Sequence, residues 1–265
     1  MEMGNPVILP DDFADYLFIE NATQRFAETL KVSETVAAAG IQLQANLDHA
    51  AIFCNPPHIV ADPLKQLGYI SGWDNCCYPS PVDGHDYINV PAGLPSGNIA
   101  RNRGWFDYVA VVHPVDKKAF DQMMNQDYGN PFIHHLTLGI VPPERIEESD
   151  FDYASQVIPF MVDVRKKIEN IIGDVPGTLI MALPEQVINH QDFSGLFKTW
   201  VGDLALDQYQ VEVMSGGGFL IQFFVLTGGR VEVALRHGTT QTFNPKSVHK
   251  ISRDEISTVQ GSLVV

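Results

Sequence analysis

The chain has 265 residues, with 17 Lys+Arg against 32 Asp+Glu and a formal net charge of −15 at pH 7. Apolar residues make up 45% and charged residues 18%, which is typical of a folded globular protein and excludes a disordered one. An acidic surface repels phosphate backbones, and no apolar run reaches the roughly 18 residues of a membrane helix. We therefore expect neither nucleic acid nor a membrane as a partner, and we expect a cytoplasmic protein.

The three cysteines do not predict a disulfide framework or a zinc knuckle. They are Cys54, Cys76 and Cys77, and the adjacent pair lacks the two-residue spacer of a zinc-binding motif. We interpret all three as ordinary thiols.

The predicted elements, in chain order, form an N-terminal helix followed by two similar halves. The helix is an amphipathic segment over residues 11–39. Elements predicted in the first half are a strand from Leu47, a short helix over 60–67 ending at Gly68, and strands at 69–73, 85–90 and 106–113. Elements predicted in the second half are a strand at 133–140, a helix at 153–172 ending at Gly173, strands at 178–183, 208–214, 219–226 and 231–235, and an inserted helix at 192–200. The turn-rich tract 74–97 is interpreted as a loop over a cavity mouth.

Two pairs of segments align between the halves without gaps, which indicates an internal duplication. Residues 47–57 align with 133–143, each with a His followed at +7 and +8 by Pro-Pro, and 108–113 align with 232–237. Both matches occur in the same order. The sequence therefore predicts a helical extension at 1–44, β-α-β-β-β modules at 45–128 and 129–245, and a tail at 246–265.

Side chains alternate across a strand, so the aligned strands have one apolar face and one polar face. The polar face collects six side chains: His49, Tyr108, His135, Thr137, Glu232 and Arg236. His134 falls on the apolar face by parity, although a one-residue shift would exchange it with His135. His113 and His237 also fall on the apolar face, and we interpret both as structural.

The segments Leu47-Asp-His-x-x-Ile52 and Leu67-Gly-Tyr69 resemble the vicinal oxygen chelate superfamily, which includes glyoxalase I, extradiol dioxygenases and metal-free bleomycin-binding proteins. The resemblance implies an α+β fold in which two tandem β-α-β-β-β modules form a cupped mixed sheet, here with an added N-terminal helix. It also implies metal ligands from the first and fourth strands of the modules, which are His49, His135 and Glu232. Tyr108 occupies the remaining ligand position.

Two imidazoles and one carboxylate leave open coordination positions and suit Fe²⁺, Mn²⁺, Ni²⁺ or Zn²⁺. Tyr108 could donate a proton or a hydrogen bond, and Arg236 could pair with an anionic substrate group. We therefore expect a metal-dependent dioxygenase, lyase or isomerase that acts on a small molecule chelated through neighbouring oxygens. A homodimer is compatible with this interpretation.

Two alternatives stay open. The first is a metal-free small-molecule-binding module of the same fold. The second is a 2H-type cyclic phosphodiesterase, since His135-Leu-Thr137 and His237-Gly-Thr239 both have the form His-x-Thr. The spatial partner of His135 separates the two enzyme hypotheses: His49 and Glu232 in one, His237 in the other.

Overall fold

The fold is described for residues 17, 19–54, 56, 58–66, 69–70, 76–79, 86–95, 108–114, 129–144, 149–173, 176–214, 218–225, 230–237 and 248–250 of a computed structural model. The helices within these ranges are α1 (Ala22–Ala38), α2 (His58–Gln66), α3 (Asp150–Ile172), α4 (Glu185–Ile188) and α5 (Phe193–Val201). The strands are β1 (Leu43–Phe53), β2 (Tyr69–Ile70), β3 (Cys76–Pro79), β4 (Asp86–Pro95), β5 (Tyr108–Pro114), β6 (Phe132–Ile140), β7 (Leu179–Pro184), β8 (Tyr209–Met214), β9 (Phe219–Phe224), β10 (Val231–His237) and β11 (Val248–Lys250).

Helix α3 ends at the predicted stop residue, Gly173, and begins at a Ser149 cap that the predicted range does not include. The Ser149 hydroxyl accepts the Asp152 N–H at 3.0 Å, which caps the first turn, and the acidic side chains there complement the helix dipole. At the other end, Gly173 adopts φ 73° while its N–H donates to the Glu169 carbonyl at 2.8 Å. The helix therefore begins three residues before the predicted range and ends where predicted.

The strands form one mixed sheet, curled into a half-barrel, in the order β11-β8-β7-β9-β10-β6-β1-β5-β4-β2, with β3 also paired to β4. At its centre β1 and β6 run antiparallel. On each side of this pair lies a parallel neighbour, β5 on β1 and β10 on β6, followed by an antiparallel one, β4 or β9. The predicted α+β fold with a cupped mixed sheet is confirmed.

Several elements differ from the predicted ranges. Helix α1 is described from Ala22, and residues 11–16 of the predicted helix lie outside the described residues. The tract 74–97 contains β3 and β4 rather than a continuous loop, because pairing with neighbouring strands can outweigh weak local propensity. In the second half, α4, α5 and β8 come between β7 and β9. Because β3 is also added in the first half, each half has one strand more than a β-α-β-β-β unit.

The two faces of the sheet differ as the alternation predicts. The apolar face packs with the helices in one core, and its strand residues include Leu47, Ala50, Ile52, Val109, Val111, Leu136, Leu138, Val233 and Leu235. The opposite face buries His49, Thr137 and Glu232 beside a small separate cluster of Ala182, Leu220 and Ala234. None of the five helices in the described ranges has the length and apolarity that a bilayer crossing requires.

Candidate metal centre

A β-bulge in β1 brings two consecutive polar residues to the inner face. Leu47 pairs with Leu138 of β6 and His49 pairs with Thr137, so two residues of β1 advance against one of β6. Leu47 and Ala50 both pack into the helix-side core, whereas Asp48 and His49 both contact polar groups on the inner face. Strict alternation would have sent Asp48 to the helix side.

A second bulge does the same in β6. Ala51 pairs with His135 and Ile52 pairs with Ile133, so His134 is the additional residue. Its ring stacks on Phe53 with centroids 4.4 Å apart and planes 10° from parallel. The prediction that His134 lies on the helix side is therefore wrong, since both His134 and His135 reach the inner face.

The N-terminal helix supports the backbone next to this second bulge. Within the described ranges, β10 pairs with β6 only from Leu136 onward, so no strand of those ranges pairs with Ile133 on the β10 side. The Asn21 side chain takes that place, accepting the Ile133 N–H and donating to its carbonyl, both at 2.9 Å. Arg25 Nε donates to the same carbonyl at 3.1 Å. The added helix thus satisfies buried backbone groups that the sheet leaves unpaired.

Three side chains from β1, β6 and β10 converge on the inner face. One donor atom from each of His49, His135 and Glu232 lies within 4.8 Å of the other two. Glu232 Oε2 is 3.1 Å from His49 Nε2 and 3.8 Å from His135 Nε2. Strand parity predicted that these three side chains share one face, and the family resemblance implied that they are metal ligands.

His49 lies between two carboxylates. Its Nδ1 is 2.7 Å from Asp48 Oδ2, and Arg236 Nη2 donates to the same oxygen at 2.8 Å. Burial raises the pKa of Asp48, but Arg236 and His49 outweigh burial and hold that pKa well below its usual range. Burial lowers the pKa of His49, but hydrogen bonds to Asp48 and Glu232 outweigh it and raise that pKa. These contacts therefore keep the two carboxylates ionised and shift the His49 equilibrium towards its protonated form in the metal-free site.

His135 has a different environment although it occupies the aligned position. Its Nδ1 is 2.9 Å from Nδ1 of His134, and its ring meets Phe224 edge-on with centroids 5.1 Å apart. Burial lowers the pKa of His135 to about 4, against the opposing effect of Glu232. At neutral pH this imidazole is uncharged and has one nitrogen lone pair.

Thr137 connects the two halves of the site. Its hydroxyl donates to Glu232 Oε2 at 2.9 Å and lies 3.1 Å from His49 Nε2. Burial raises the pKa of Glu232, but the hydrogen bond with His49, assisted by Thr137, lowers it overall. Glu232 is 1% exposed, so these contacts are what keeps it ionised.

The two catalytic candidates are placed differently. Arg236 reaches the inner face as predicted. Its guanidinium forms an ion pair with Asp48, so any contact with a substrate anion would be in addition to that pair. Tyr108 is the β5 partner of His49 in the strand register, and its side chain lies outside what the structure describes.

The structure also separates the two enzyme hypotheses. His135 lies beside His49 and Glu232, whereas the His237 ring packs against Tyr153, with centroids 4.5 Å apart. Tyr153 belongs to the helix-side core. His135 and His237 therefore lie on opposite faces, and the paired-histidine phosphodiesterase hypothesis is wrong.

The pairing registers of the strands in the two halves differ by two residues. His49 of β1 pairs with Tyr108 of β5, but the β6 partner of Glu232 is Thr137, two residues beyond His135. The two predicted equivalences, His49 with His135 and Tyr108 with Glu232, therefore do not hold together. Because the offset is two residues, Glu232 still lies on the same face as His135.

The arrangement of these donors fits a divalent ion. Metal–ligand distances of about 2.0–2.2 Å place neighbouring ligand atoms about 3 to 3.5 Å apart. The separations of 3.1 and 3.8 Å from Glu232 to the two imidazoles are close to that range. Asp48 contacts Nδ1 of His49, the ring nitrogen directed away from Glu232. Metal-binding histidines commonly have a carboxylate at this position.

No family model and no curated protein sequence matches this chain. Among solved structures, a triple mutant of 4-hydroxymandelate synthase from Streptomyces coelicolor is 13% identical with a TM-score of 0.45, over 75% of this chain and 50% of that one. A methylmalonyl-CoA epimerase is 14% identical with a TM-score of 0.31, over 73% and 97%. A fusion of a xylose isomerase-like TIM barrel with 4-hydroxyphenylpyruvate dioxygenase is 12% identical with a TM-score of 0.36, over 78% and 28%.

This chain spans half the length of the synthase and less than a third of the fusion protein. All three structures are members of the vicinal oxygen chelate superfamily, which the sequence resembles. Their identities are at most 14% and their TM-scores are below 0.5, so we draw no functional conclusion from them.

Proposed function

We propose that this chain is a metal-dependent enzyme of the vicinal oxygen chelate type, with His49, His135 and Glu232 as the ligands of one divalent ion. The observation that carries the proposal is the convergence of these three donors, from strands far apart in the sequence, on one buried face. A buried carboxylate and two imidazoles are costly there unless they are paired or coordinated. When bound, the ion supplies Lewis acidity to a substrate chelated through two neighbouring oxygens.

The charges around the site favour an anionic substrate. The carboxylates of Asp48 and Glu232 and the guanidinium of Arg236 sum to one negative charge when His49 has lost its proton, and Arg230 and Arg25 add positive potential at His135. A divalent ion therefore makes the buried site positive, and a substrate with one anionic oxygen among its two chelating oxygens offsets that charge. Candidate substrates are accordingly small 2-oxo or 2-hydroxy acids and related enolates, processed by a dioxygenase, lyase or isomerase.

The remaining residues have roles that follow from their contacts. Thr137 holds the Glu232 oxygen that faces both histidines, and Arg236 holds Asp48 behind His49. Tyr108, next to His49 in the register, is proposed to act on bound substrate as a proton or hydrogen-bond donor. Tyr108→Phe should then lower turnover while the metal content stays nearly unchanged.

The decisive experiment loads chelator-treated protein with Co²⁺ and follows its visible absorption. Wild type should bind one ion per chain, and Glu232→Gln should lose most of that affinity because an amide is a neutral and poorer donor. Oxalate, which has two neighbouring oxygens, should change the spectrum at lower concentrations than acetate does. His58→Ala, on the exposed start of α2, is the control.

The result that contradicts the proposal is a wild-type protein that binds no Co²⁺, Fe²⁺, Mn²⁺, Ni²⁺ or Zn²⁺. In that case the two N–H groups of a protonated His49, Nδ1–H towards Asp48 and Nε2–H towards Glu232, would be what satisfies the buried carboxylates. The metal-free binding module would then be the better account.

A further inference from the structure

His134 is a buried polar residue that the proposed metal site does not use. It is 3% exposed and lies directly before His135, and the β6 bulge sends both rings to the inner face. The two Nδ1 atoms are 2.9 Å apart and the ring planes meet at 77°. This is a hydrogen-bond distance, so the contact is more than packing.

Only one arrangement of hydrogens at this contact is compatible with a ligating His135. One Nδ1 must carry a hydrogen and the other must present a lone pair, because two N–H groups or two lone pairs at 2.9 Å repel each other. Nε2 is the nitrogen of His135 that faces Glu232, and a metal ligand needs its lone pair free. The hydrogen of His135 then lies on Nδ1.

We propose that His134 is a positioning residue for His135: its Nδ1 accepts the Nδ1–H of His135 and so directs the Nε2 lone pair towards Glu232. The proposal depends on the proposed function only in making Nε2 the metal-binding nitrogen. Phe53 holds the accepting ring in place through the stacked contact.

The other half of the sheet contains an equivalent contact, in which Asp48 takes the place of His134. Asp48 occupies the position that aligns with His134, reaches the inner face through its own bulge, and contacts Nδ1 of the next residue, His49, at 2.7 Å. In both halves, the residue before the histidine contacts the ring nitrogen that is not directed at Glu232. A packing role alone does not account for this repetition.

Two substitutions separate positioning from packing. His134→Asn retains an acceptor, since Oδ1 is attached to Cγ as Nδ1 is, but removes the ring that stacks on Phe53. His134→Phe retains a stacked ring and removes the acceptor. A packing role predicts damage from Asn and tolerance of Phe, and a positioning role predicts the opposite for every property of His135.

The first measurement uses metal-free protein labelled with ¹⁵N at histidine, in which long-range ¹H–¹⁵N spectra give the tautomer of each ring. Loss of signals in His135→Asn assigns His135. We expect His135 to carry its hydrogen on Nδ1 in wild type and in His134→Asn, and to populate the other tautomer in His134→Phe. A wild-type His135 protonated on Nε2, or a tautomer that His134→Phe leaves unchanged, would overturn the proposal.

The second measurement is Co²⁺ affinity with the visible spectrum of the bound ion. His134→Phe should weaken binding about tenfold, as loss of an outer partner of a ligand does, and His134→Asn should stay within about threefold of wild type. Equal losses in both variants would indicate packing and contradict the proposal. If wild type binds no metal, the proposed function fails, while the tautomer result still decides what His134 does.

Discussion

The β1 side and the β6 side of the candidate site have the same kind of backbone bulge, but the pKa values of their histidines are shifted in opposite directions. Each strand has a bulge that presents a His together with the residue before it. On the β1 side the preceding residue is Asp48, and the pKa of His49 is raised. On the β6 side it is His134, and burial lowers the pKa of His135 to about 4. A repeated backbone geometry therefore does not give the same chemistry when one neighbouring residue differs.

This difference gives the two imidazoles different roles in metal binding. At neutral pH His135 is uncharged and presents a lone pair, whereas the contacts of His49 raise its pKa and favour the protonated form, which has to lose a proton in order to ligate. Asp48 remains beside His49 after that release and makes it the stronger donor. The site thus combines His135, which already presents a lone pair, with His49, whose protonated form competes with metal binding.

Removal of a ligand on either side should have the largest effect. His135→Ala should lower Co²⁺ affinity by more than about 100-fold, beyond the about 10- to 100-fold that loss of an outer partner costs. Titration of chelator-treated protein measures the effect, with His58→Ala as the surface control. Affinity within tenfold of wild type would mean that the β6 side does not ligate.

Loss of the β1-side carboxylate should rank second. Asp48→Asn keeps a hydrogen-bond acceptor for His49 but removes the charge that Arg236 and His49 share. We expect Co²⁺ affinity to fall about 10- to 100-fold. The same titration tests this, and an effect no larger than that of His134→Asn would show that the charge of Asp48 does not distinguish the two sides.

In metal-free protein, the free energy of unfolding should rise with pH because of His135 and fall with pH because of His49. A His with a lowered pKa stays unprotonated in the folded chain, so His135 loses stability as pH falls from about 6.5 towards 4. A His with a raised pKa keeps its proton, so the contribution of His49 is complete below pH 6.5 and is lost as pH rises through its folded pKa. Each slope is at most about 1.4 kcal/mol per pH unit.

Urea unfolding between pH 4.5 and 8 measures these slopes. His135→Asn should reduce the slope on the acidic side, to which His134 also contributes because burial lowers its pKa, and His49→Asn should flatten the alkaline side. The contributions of Asp48 and Glu232, whose pKa values are lowered, are lost only at more acidic pH. A profile in which both variants flatten the same side would contradict the assigned charge states.

The smallest effect should come from Thr137, whose hydroxyl contacts both Glu232 and His49. Thr137→Val keeps the shape of the side chain and removes the hydroxyl that donates to Glu232. One such hydrogen bond contributes about 1 kcal/mol, so Co²⁺ affinity should fall about fivefold, and Thr137→Ser should restore it. If Ser and Val behave alike, the hydroxyl has no part in holding Glu232.

Much of the site was accessible from the sequence because strand geometry has a period of two. The aligned segments and their alternation placed His49, His135 and Glu232 on one face, and the structure brings these three together. The same parity misplaced His134 and gave no signal for Asp48. A bulge breaks the period of two, and it arises from pairing with another strand, which the local sequence does not show.

Local sequence patterns specify which strands have an apolar face, where α3 ends, and which residue types could meet on the inner face. These properties depend on alternation and on caps, which act over a few residues. Only the tertiary structure decided that Arg236 pairs with Asp48 and that Thr137 holds Glu232, residues 188 and 95 positions apart. Such partners are set by strand order and register, and a shift of one residue would send every one of these side chains to the other face.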